Sequence, residues 1–144
     1  APPSPRLRRV KAEPEPQPEP RPEPLPSVQD GTGDADWLYG SIGEDVLSGH
    51  GGDDDIRGAQ GDDRIGGGAG SDTLLGDDDY GPGGRDTIDG GDGHNVVSFD
   101  TRATTDIASV HSFGGVTVVS FHDGQSATMT HIQDIEFTDK DIKL

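Results

Sequence analysis

A large aliphatic residue recurs at the same position of a nine-residue unit that is repeated seven times between residues 31 and 98, with five extra residues in the sixth unit. These residues are Leu38, Leu47, Ile56, Ile65, Leu74, Ile88 and Val97. Each is the middle residue of a three-residue segment, which predicts a very short strand with one side chain pointing inward and two pointing outward. Two loops and two such strands make one turn of a flattened parallel solenoid, whose turns stack at the strand spacing of roughly 4.8 Å.

The pattern changes after Asn95, where longer runs rich in Val, Ile, Thr and Phe begin. These runs cover residues 95–99, 107–113, 116–121, 126–131 and 135–137, and they predict ordinary strands. Gly114-Gly115 and Asp123-Gly124 are two-residue turn signals, which indicate an antiparallel meander. We expect this segment to cap the last turn of the solenoid with the side chains of Val97, Phe99, Val119, Phe121, Ile135 and Phe137.

The loops between the aliphatic positions carry glycine and aspartate in phase. Every unit opens with Gly, and the fourth position is Gly in every unit except the first, which has Asp34. The sixth position reads Asp36, Asp45, Asp54, Asp63, Asp72, Asp86 and Asn95. Glycine permits positive φ and lets carbonyl oxygens converge, and the aspartate adds a carboxylate. These loops therefore predict a cage of hard oxygen ligands for calcium.

The unit G-G-x-G-x-D-x-U-x, where U is a large aliphatic residue, resembles the RTX, or haemolysin-type, calcium-binding repeat of bacterial proteins exported by type I secretion. The resemblance implies that two loops one turn apart share each ion, and that each loop supplies two carbonyls and its aspartate. It makes Asp45 with Asp63, and Asp54 with Asp72, the best pairs, and it implies about four or five calcium ions. The other implied ligands are Gly31, Gly33, Gly40, Ile42, Gly49, His50, Gly51, Gly52, Gly58, Ala59, Gln60, Gly61, Gly67, Gly68, Ala69, Gly70, Gly84, Gly91 and Gly93.

Some units depart from the pattern, and these departures predict weaker sites. The first unit has Thr32 and Asp34 where Gly is usual, and the last has the neutral Asn95, so the pairs of Asp36 with Asp54 and of Asp72 with Asn95 should bind less tightly. The sixth unit contains the insertion 79–83, which leaves the pairing of Asp63 with Asp86 open. Residues 77–79 form either an extra cation site or a solvated acidic bulge.

Composition supports a module that needs a cation. Hydrophobic residues make up 28% of the chain and the net charge is −17, which ordinarily indicates disorder. Such a surface repels nucleic acid and anionic lipid and favours divalent cations. The chain has no cysteine, no apolar run near the length of a membrane span and no N-terminal signal pattern. Residues 1–26 hold ten of the eleven prolines, which predicts an extended polyproline II linker.

No catalytic motif is present, so we expect no enzymatic activity. The five histidines do not form H-E-x-x-H, and neither a G-x-S-x-G elbow nor a phosphate loop occurs. Two interpretations stay open for His111, His122 and His131: they are ordinary residues on the surface of the strands, or they are the ligands of a zinc site. Trp37 occupies an outward position, where it either covers the N-terminal edge of the solenoid or stacks on a ligand.

The sequence as a whole predicts an all-β protein with three segments. These are a Pro/Glu-rich extended linker at 1–30, a right-handed parallel β-roll at 31–98, and an antiparallel β cap with a C-terminal secretion signal at 99–144. The expected function is calcium-triggered folding that supports type I secretion of a monomer, which is located outside the bacterial cell or on its surface. Two alternatives stay open: an accessory C-terminal domain of a larger exported protease, lipase or polysaccharide-modifying enzyme, and an adhesive or polysaccharide-binding module.

Overall fold

A computed structural model describes residues 2–3, 26–77 and 84–144 of the chain. In this part the chain forms thirteen strands and one short 3-10 helix, Thr104–Asp106. The strands are β1 (Val28–Asp30), β2 (Trp37–Tyr39), β3 (Val46–Gly51), β4 (Asp55–Ala59), β5 (Arg64–Ala69), β6 (Thr73–Asp77), β7 (Arg85–Asp92), β8 (Val96–Phe99), β9 (Ile107–Phe113), β10 (Val116–Phe121), β11 (Ser126–Thr130), β12 (Asp134–Phe137) and β13 (Ile142–Lys143). The predicted all-β architecture is confirmed.

The strands of successive units alternate between two sheets. One sheet has the order β1-β3-β5-β7-β11-β10-β9, and the other has the order β13-β12-β8-β6-β4-β2. Parallel pairing joins units one turn apart, as Val46 in β3 pairs with Arg64 in β5. Across the sixth unit Arg64 pairs with Thr87, so the insertion leaves the register of the aliphatic positions intact. This pairing is the parallel β-roll that the nine-residue period predicts.

The core is a single row of aliphatic side chains between the two sheets. Leu47, Ile56, Ile65, Leu74, Ile88 and Val97 are at most 1% exposed, whereas Leu38 in the first unit is only partly buried. The same cluster continues into the C-terminal segment through residues that include Val119, Phe121, Ile135 and Phe137. The roll and the cap therefore share one core, as predicted.

Aromatic packing closes the C-terminal end of this core. The ring of Phe99 lies 5.0 Å from that of Phe121 and 5.3 Å from that of Phe137, measured between ring centroids. The guanidinium of Arg102 lies 4.2 Å above the Phe121 ring and forms an ion pair with Asp123. Arg102 therefore packs over the outer side of the aromatic cluster that covers the last turn, and it stabilises this cluster through a cation–π contact.

The C-terminal segment is only partly the antiparallel meander that we expected. β9, β10 and β11 do pair antiparallel, with turns at Gly114-Gly115 and at Gly124. However, β11 also pairs parallel with β7, and β12 pairs parallel with β8. The roll thus continues for one further turn after the β9–β10 hairpin. We missed this turn because residues 126–137 lack the Gly and Asp signature, although Met129 occupies the inward aliphatic position opposite Ile88.

At the N-terminal end, pairing begins before the first repeat. β1 lies within residues 1–30, which we expected as a linker, and it pairs parallel with β3. Gln29 takes the inward position of this turn, and its Nε2 donates to the carbonyl of Tyr39. Trp37 is 88% exposed, so it does not cover this edge. The boundaries at 30 and 98 stay predictions. Residues 4–25 of the expected linker 1–30 and the insertion 79–83 lie outside the described residues.

Candidate calcium sites

The sixth residues of the units form two hydrogen-bonded rows, one along each edge of the roll. We call the row of Asp36, Asp54, Asp72 and Asn95 the odd row, and the row of Asp45, Asp63 and Asp86 the even row. In each row, the backbone N–H of one member donates to Oδ1 of the member one turn later, at 2.8 to 3.0 Å. The structure therefore brings together the very pairs that the repeat spacing predicts.

In Asp54 and Asp72 of the odd row, the second carboxylate oxygen faces carbonyl oxygens. Oδ2 of Asp54 and Oδ2 of Asp72 are buried and have no hydrogen-bond partner among the described residues. A Cβ built on Gly49 would touch both Oδ2 of Asp54 and the carbonyl oxygen of Gly67, which shows that these two acceptors converge on one point. Acceptors that converge without a donor require a cation, because a buried unpaired carboxylate is costly. Calcium, which prefers six to eight oxygen ligands, fits this donor set.

The electrostatics of Asp72 agree with this requirement. Burial raises the pKa of its carboxyl group, and the nearby charges of Asp54 and Asp53 raise it further, against the N–H of Asp54, which lowers it. The net result is a pKa above the ordinary carboxyl value. A divalent cation beside the buried carboxylate would lower this pKa again, because it compensates for the burial of the charge and neutralises the repulsion from Asp54 and Asp53.

The glycines at the first and fourth positions are needed for close approach between turns. A Cβ on Gly40, Gly49, Gly58 or Gly67 would collide with the aspartate of the same unit and with a carbonyl of the next turn. A Cβ on Gly70 would collide with the carbonyl oxygen of Gly52, and φ of Gly70 is +139°. Here glycine is a steric requirement for stacking the loops, which brings the carbonyl oxygens close to the carboxylates.

The second position of the loop adopts a left-handed backbone conformation in four of the described units. Gly68 and Gly91 have φ of +105° and +77°, and the non-glycine residues His50 and Ala59 have φ of +71° and +78° at the same position. An L-residue in this region costs roughly 1 to 2 kcal/mol. Thr32 and Ser41 at the same position do not have positive φ, so the left-handed conformation is kept without glycine only at His50 and Ala59. Whether these residues, or the third-position residues Gly33, Ile42, Gly51, Gln60 and Ala69, offer carbonyls to an ion stays a prediction.

Each row ends in residues that the repeat pattern did not identify. The N–H of Ser27 donates to Oδ1 of Asp45 at 2.7 Å, so Ser27 begins the even row. The N–H of Asn95 donates to Oε1 of Gln133 at 2.6 Å, so Gln133 ends the odd row. In the even row, Ala127 pairs opposite Asp86 in β11. Only the strand register reveals these residues, because their sequences carry no repeat signature.

Side chains alone do not make a metal site in the part of the chain that the structure describes. No three His, Asp or Glu side chains there converge on one point, and this applies also to the alternative zinc site of His111, His122 and His131. Main-chain carbonyls would therefore have to complete any calcium site, as the resemblance implies. The alternative cation site at residues 77–79 cannot be placed, because 78–83 and the side chain of Asp77 lie outside the description.

The chain was compared with protein families, curated sequences and solved structures. Residues 30–65 and 80–100 match the RTX calcium-binding nonapeptide repeat, in four copies. Among solved structures, the chain is similar to the crystal structure of extracellular lipase LipA from Serratia marcescens, at 21% sequence identity and a TM-score of 0.44. That similarity covers 80% of this chain and only 15% of the lipase chain. No curated protein sequence matches the chain.

The family match and the fold lead to one assignment. The matched segments contain loops whose aspartates are hydrogen-bonded in rows, and the calcium-binding repeat is a structural rather than a catalytic module. Within the described ranges, no helix has the length and apolar character needed to cross a membrane. Residues 30–65 and 80–100 of this chain are thus similar to the RTX calcium-binding nonapeptide repeat.

Proposed function

We propose that the chain is a calcium-dependent folding module that stays unfolded inside a bacterium, passes through a type I exporter and folds outside the cell. The observation that carries this proposal is the pair of buried Oδ2 atoms in Asp54 and Asp72, which lack a donor and face carbonyl oxygens. Without a divalent cation, stacking these loops would bury like charges beside one another.

The hydrophobic core of the repeat region is small, so a bound cation matters for the free energy of folding. Most units of the roll bury one large aliphatic side chain in the shared core, yet each must order nine or more residues, several of them glycine. The apolar burial of one unit is therefore small compared with the conformational entropy that its residues lose on folding. A calcium site at ten times its dissociation constant adds about 1.4 kcal/mol per ion. Folding of the repeat region therefore depends on the calcium concentration.

The calcium concentration then determines where folding occurs. Extracellular modules bind calcium with dissociation constants of about 0.1 to 1 mM, far above cytosolic concentrations of the ion. The chain can consequently be threaded through an exporter in the cytosol and becomes compact after release. We infer that it acts as a monomer, without nucleic acid and without stable insertion into the membrane, and that the exporter is a transient partner.

The test is a calcium titration of the full chain monitored by far-UV circular dichroism and amide hydrogen exchange. We expect β3 to β5 to be unprotected in EDTA and to gain protection cooperatively between about 0.1 and 1 mM calcium. Magnesium is the control, because it dehydrates reluctantly and demands a tighter octahedral geometry. Full protection of these strands in EDTA, or an equal response to magnesium, would contradict the proposal.

A further inference from the structure

The last loop of the odd row, Gly90 to Asn95, faces the cap rather than another repeat. β11 pairs with β7 up to Thr130 opposite Asp89, and β12 resumes with Asp134 opposite Val96. Only residues 131–133 therefore connect the two strands, where a repeat has a six-residue loop. A calcium cage shared by two equivalent loops cannot form at this step.

The side chain of Asn95 occupies the space between the last repeat loop and the cap. It is fully buried, and its Oδ1 accepts the N–H of Asp72 at 3.0 Å, as an aspartate oxygen does in every earlier turn. Its Nδ2 donates to the carbonyl oxygens of Gly91 and His131, at 3.3 and 3.2 Å. The amide group thus joins two carbonyls of successive turns by hydrogen bonds alone.

The equivalent position one turn earlier shows the difference. A Cβ on Gly67 would meet Oδ2 of Asp72 and the carbonyl oxygen of Gly90, which are two acceptors. A Cβ on Gly90 would meet Nδ2 of Asn95 and the carbonyl oxygen of His131, which are a donor and an acceptor. The two acceptors Asp72 Oδ2 and Gly90 O therefore require a cation between them. At the equivalent place next to the cap, Asn95 Nδ2 and His131 O satisfy each other without a cation.

We propose that the amide of Asn95 replaces a calcium ion, so that the last turn of the roll and the cap form a metal-independent end. This inference rests on the proposed calcium-dependent folding of the other turns. The cap also supplies apolar burial that the interior units lack, through the packed rings of Phe99, Phe121 and Phe137. The interior turns would then assemble against an end that is already ordered when calcium arrives.

The test exchanges amide and carboxylate at two positions of one row and measures hydrogen exchange in EDTA and in calcium. In EDTA, we expect amides of β8, β10 and β12 in the native sequence to exchange more than about tenfold slower than those of β3 to β5. Asn95→Asp, which puts an acceptor opposite the carbonyl of His131, should abolish that protection in EDTA. Millimolar calcium should restore it only in part, because the short connection 131–133 offers too few oxygens to complete a calcium cage around the new carboxylate.

Asp72→Asn is the matched variant, since it places an amide donor opposite the carbonyl of Gly90. We expect it to extend the EDTA-resistant protection by one turn, to β6, and to lower the number of bound calcium ions counted by native mass spectrometry. This variant still reports on the proposal if Asn95→Asp does not fold.

The outcomes separate the two proposals. If the cap of the native sequence is unprotected in EDTA while calcium still folds the whole chain, the Asn95 proposal is overturned and calcium-dependent folding stands. The Asn95 proposal is also overturned if the cap is protected but Asn95→Asp leaves that protection unchanged. If the interior strands β3 to β5 are already protected in EDTA, the proposed function itself fails.

Discussion

Asp54→Ala should weaken calcium-dependent folding much more than Asp36→Ala, although both residues occupy the sixth position of the odd row. Asp54 is buried, accepts the N–H of Asp36 at 2.8 Å and turns its second oxygen towards the carbonyl of Gly67. Asp54 therefore contributes to two successive calcium sites of the odd row, one shared with Asp36 and one shared with the next turn. Asp36 begins the row, is only half-buried and belongs to one step.

The expected difference in stability follows from the number of calcium sites and hydrogen bonds that each aspartate takes part in. Each calcium site at ten times its dissociation constant contributes about 1.4 kcal/mol, and a hydrogen bond contributes about 1 kcal/mol. Asp54→Ala removes two sites and the bond from Asp36, which amounts to about 4 kcal/mol. Asp36→Ala removes one site, or about 1.5 kcal/mol, because its remaining bonds with Thr32 are exposed.

Urea unfolding at a fixed calcium concentration of about 1 mM measures both losses, and the same experiment in EDTA is the control. In EDTA we expect the native sequence and both variants to show the same urea transition, because the turns that contain Asp36 and Asp54 are not folded without calcium. Equal losses for the two variants in calcium would refute the shared-site arrangement. A large loss for Asp54→Ala in EDTA would show that the carboxylate acts through hydrogen bonds rather than through calcium.

Three further comparisons test the loops and the cap by thermal or urea unfolding in calcium. Ala59→Gly should stabilise the roll by about 1 kcal/mol, because φ of +78° is unfavourable for alanine; no change would argue against that backbone conformation. Gly70→Ala should destabilise strongly, since its Cβ would collide with the preceding turn, whereas Gly33→Ala, with open space, should be nearly neutral; equal effects would exclude close stacking of the loops. Phe121→Ala should cost about 3 to 5 kcal/mol and Phe113→Ala, at a 90%-exposed position, almost nothing, so similar losses would contradict the cap.

The nine-residue period predicted the fold of the repeats because every position in the unit has a separate physical constraint. The aliphatic positions Leu47 to Val97 are buried, and the aspartates line up one turn apart, as the spacing required. The six-position cap core was also predictable, because Phe99, Phe121 and Phe137 have few other places to be buried in so polar a chain.

The two ends of the roll were not predictable in the same way. Gln29 lies at an inward position and Ala127 opposite Asp86, and neither residue type carries a repeat signature. Their places are set by pairing with β3 and β7, which is a tertiary effect that no local pattern encodes. Sequence reasoning also treated Asn95 only as an aspartate without its charge, because the direction of its amide group becomes visible only when its neighbours are placed.

The residues at the ends of the rows explain why the charge is concentrated in the interior of the roll. Each row needs an acceptor for the N–H of the preceding turn, and aspartate, asparagine and glutamine can all provide it. Aspartate adds a second acceptor, which is favourable only where a neighbouring loop supplies carbonyls around a cation. Gln133 and Asn95 stand where the neighbouring loop is shortened, so a carboxylate there would be buried against carbonyls with fewer ligands to hold an ion. The change from Asp72 to Asn95 to Gln133 therefore marks the place where the odd row stops depending on calcium, while hydrogen bonds continue the stacking into the cap.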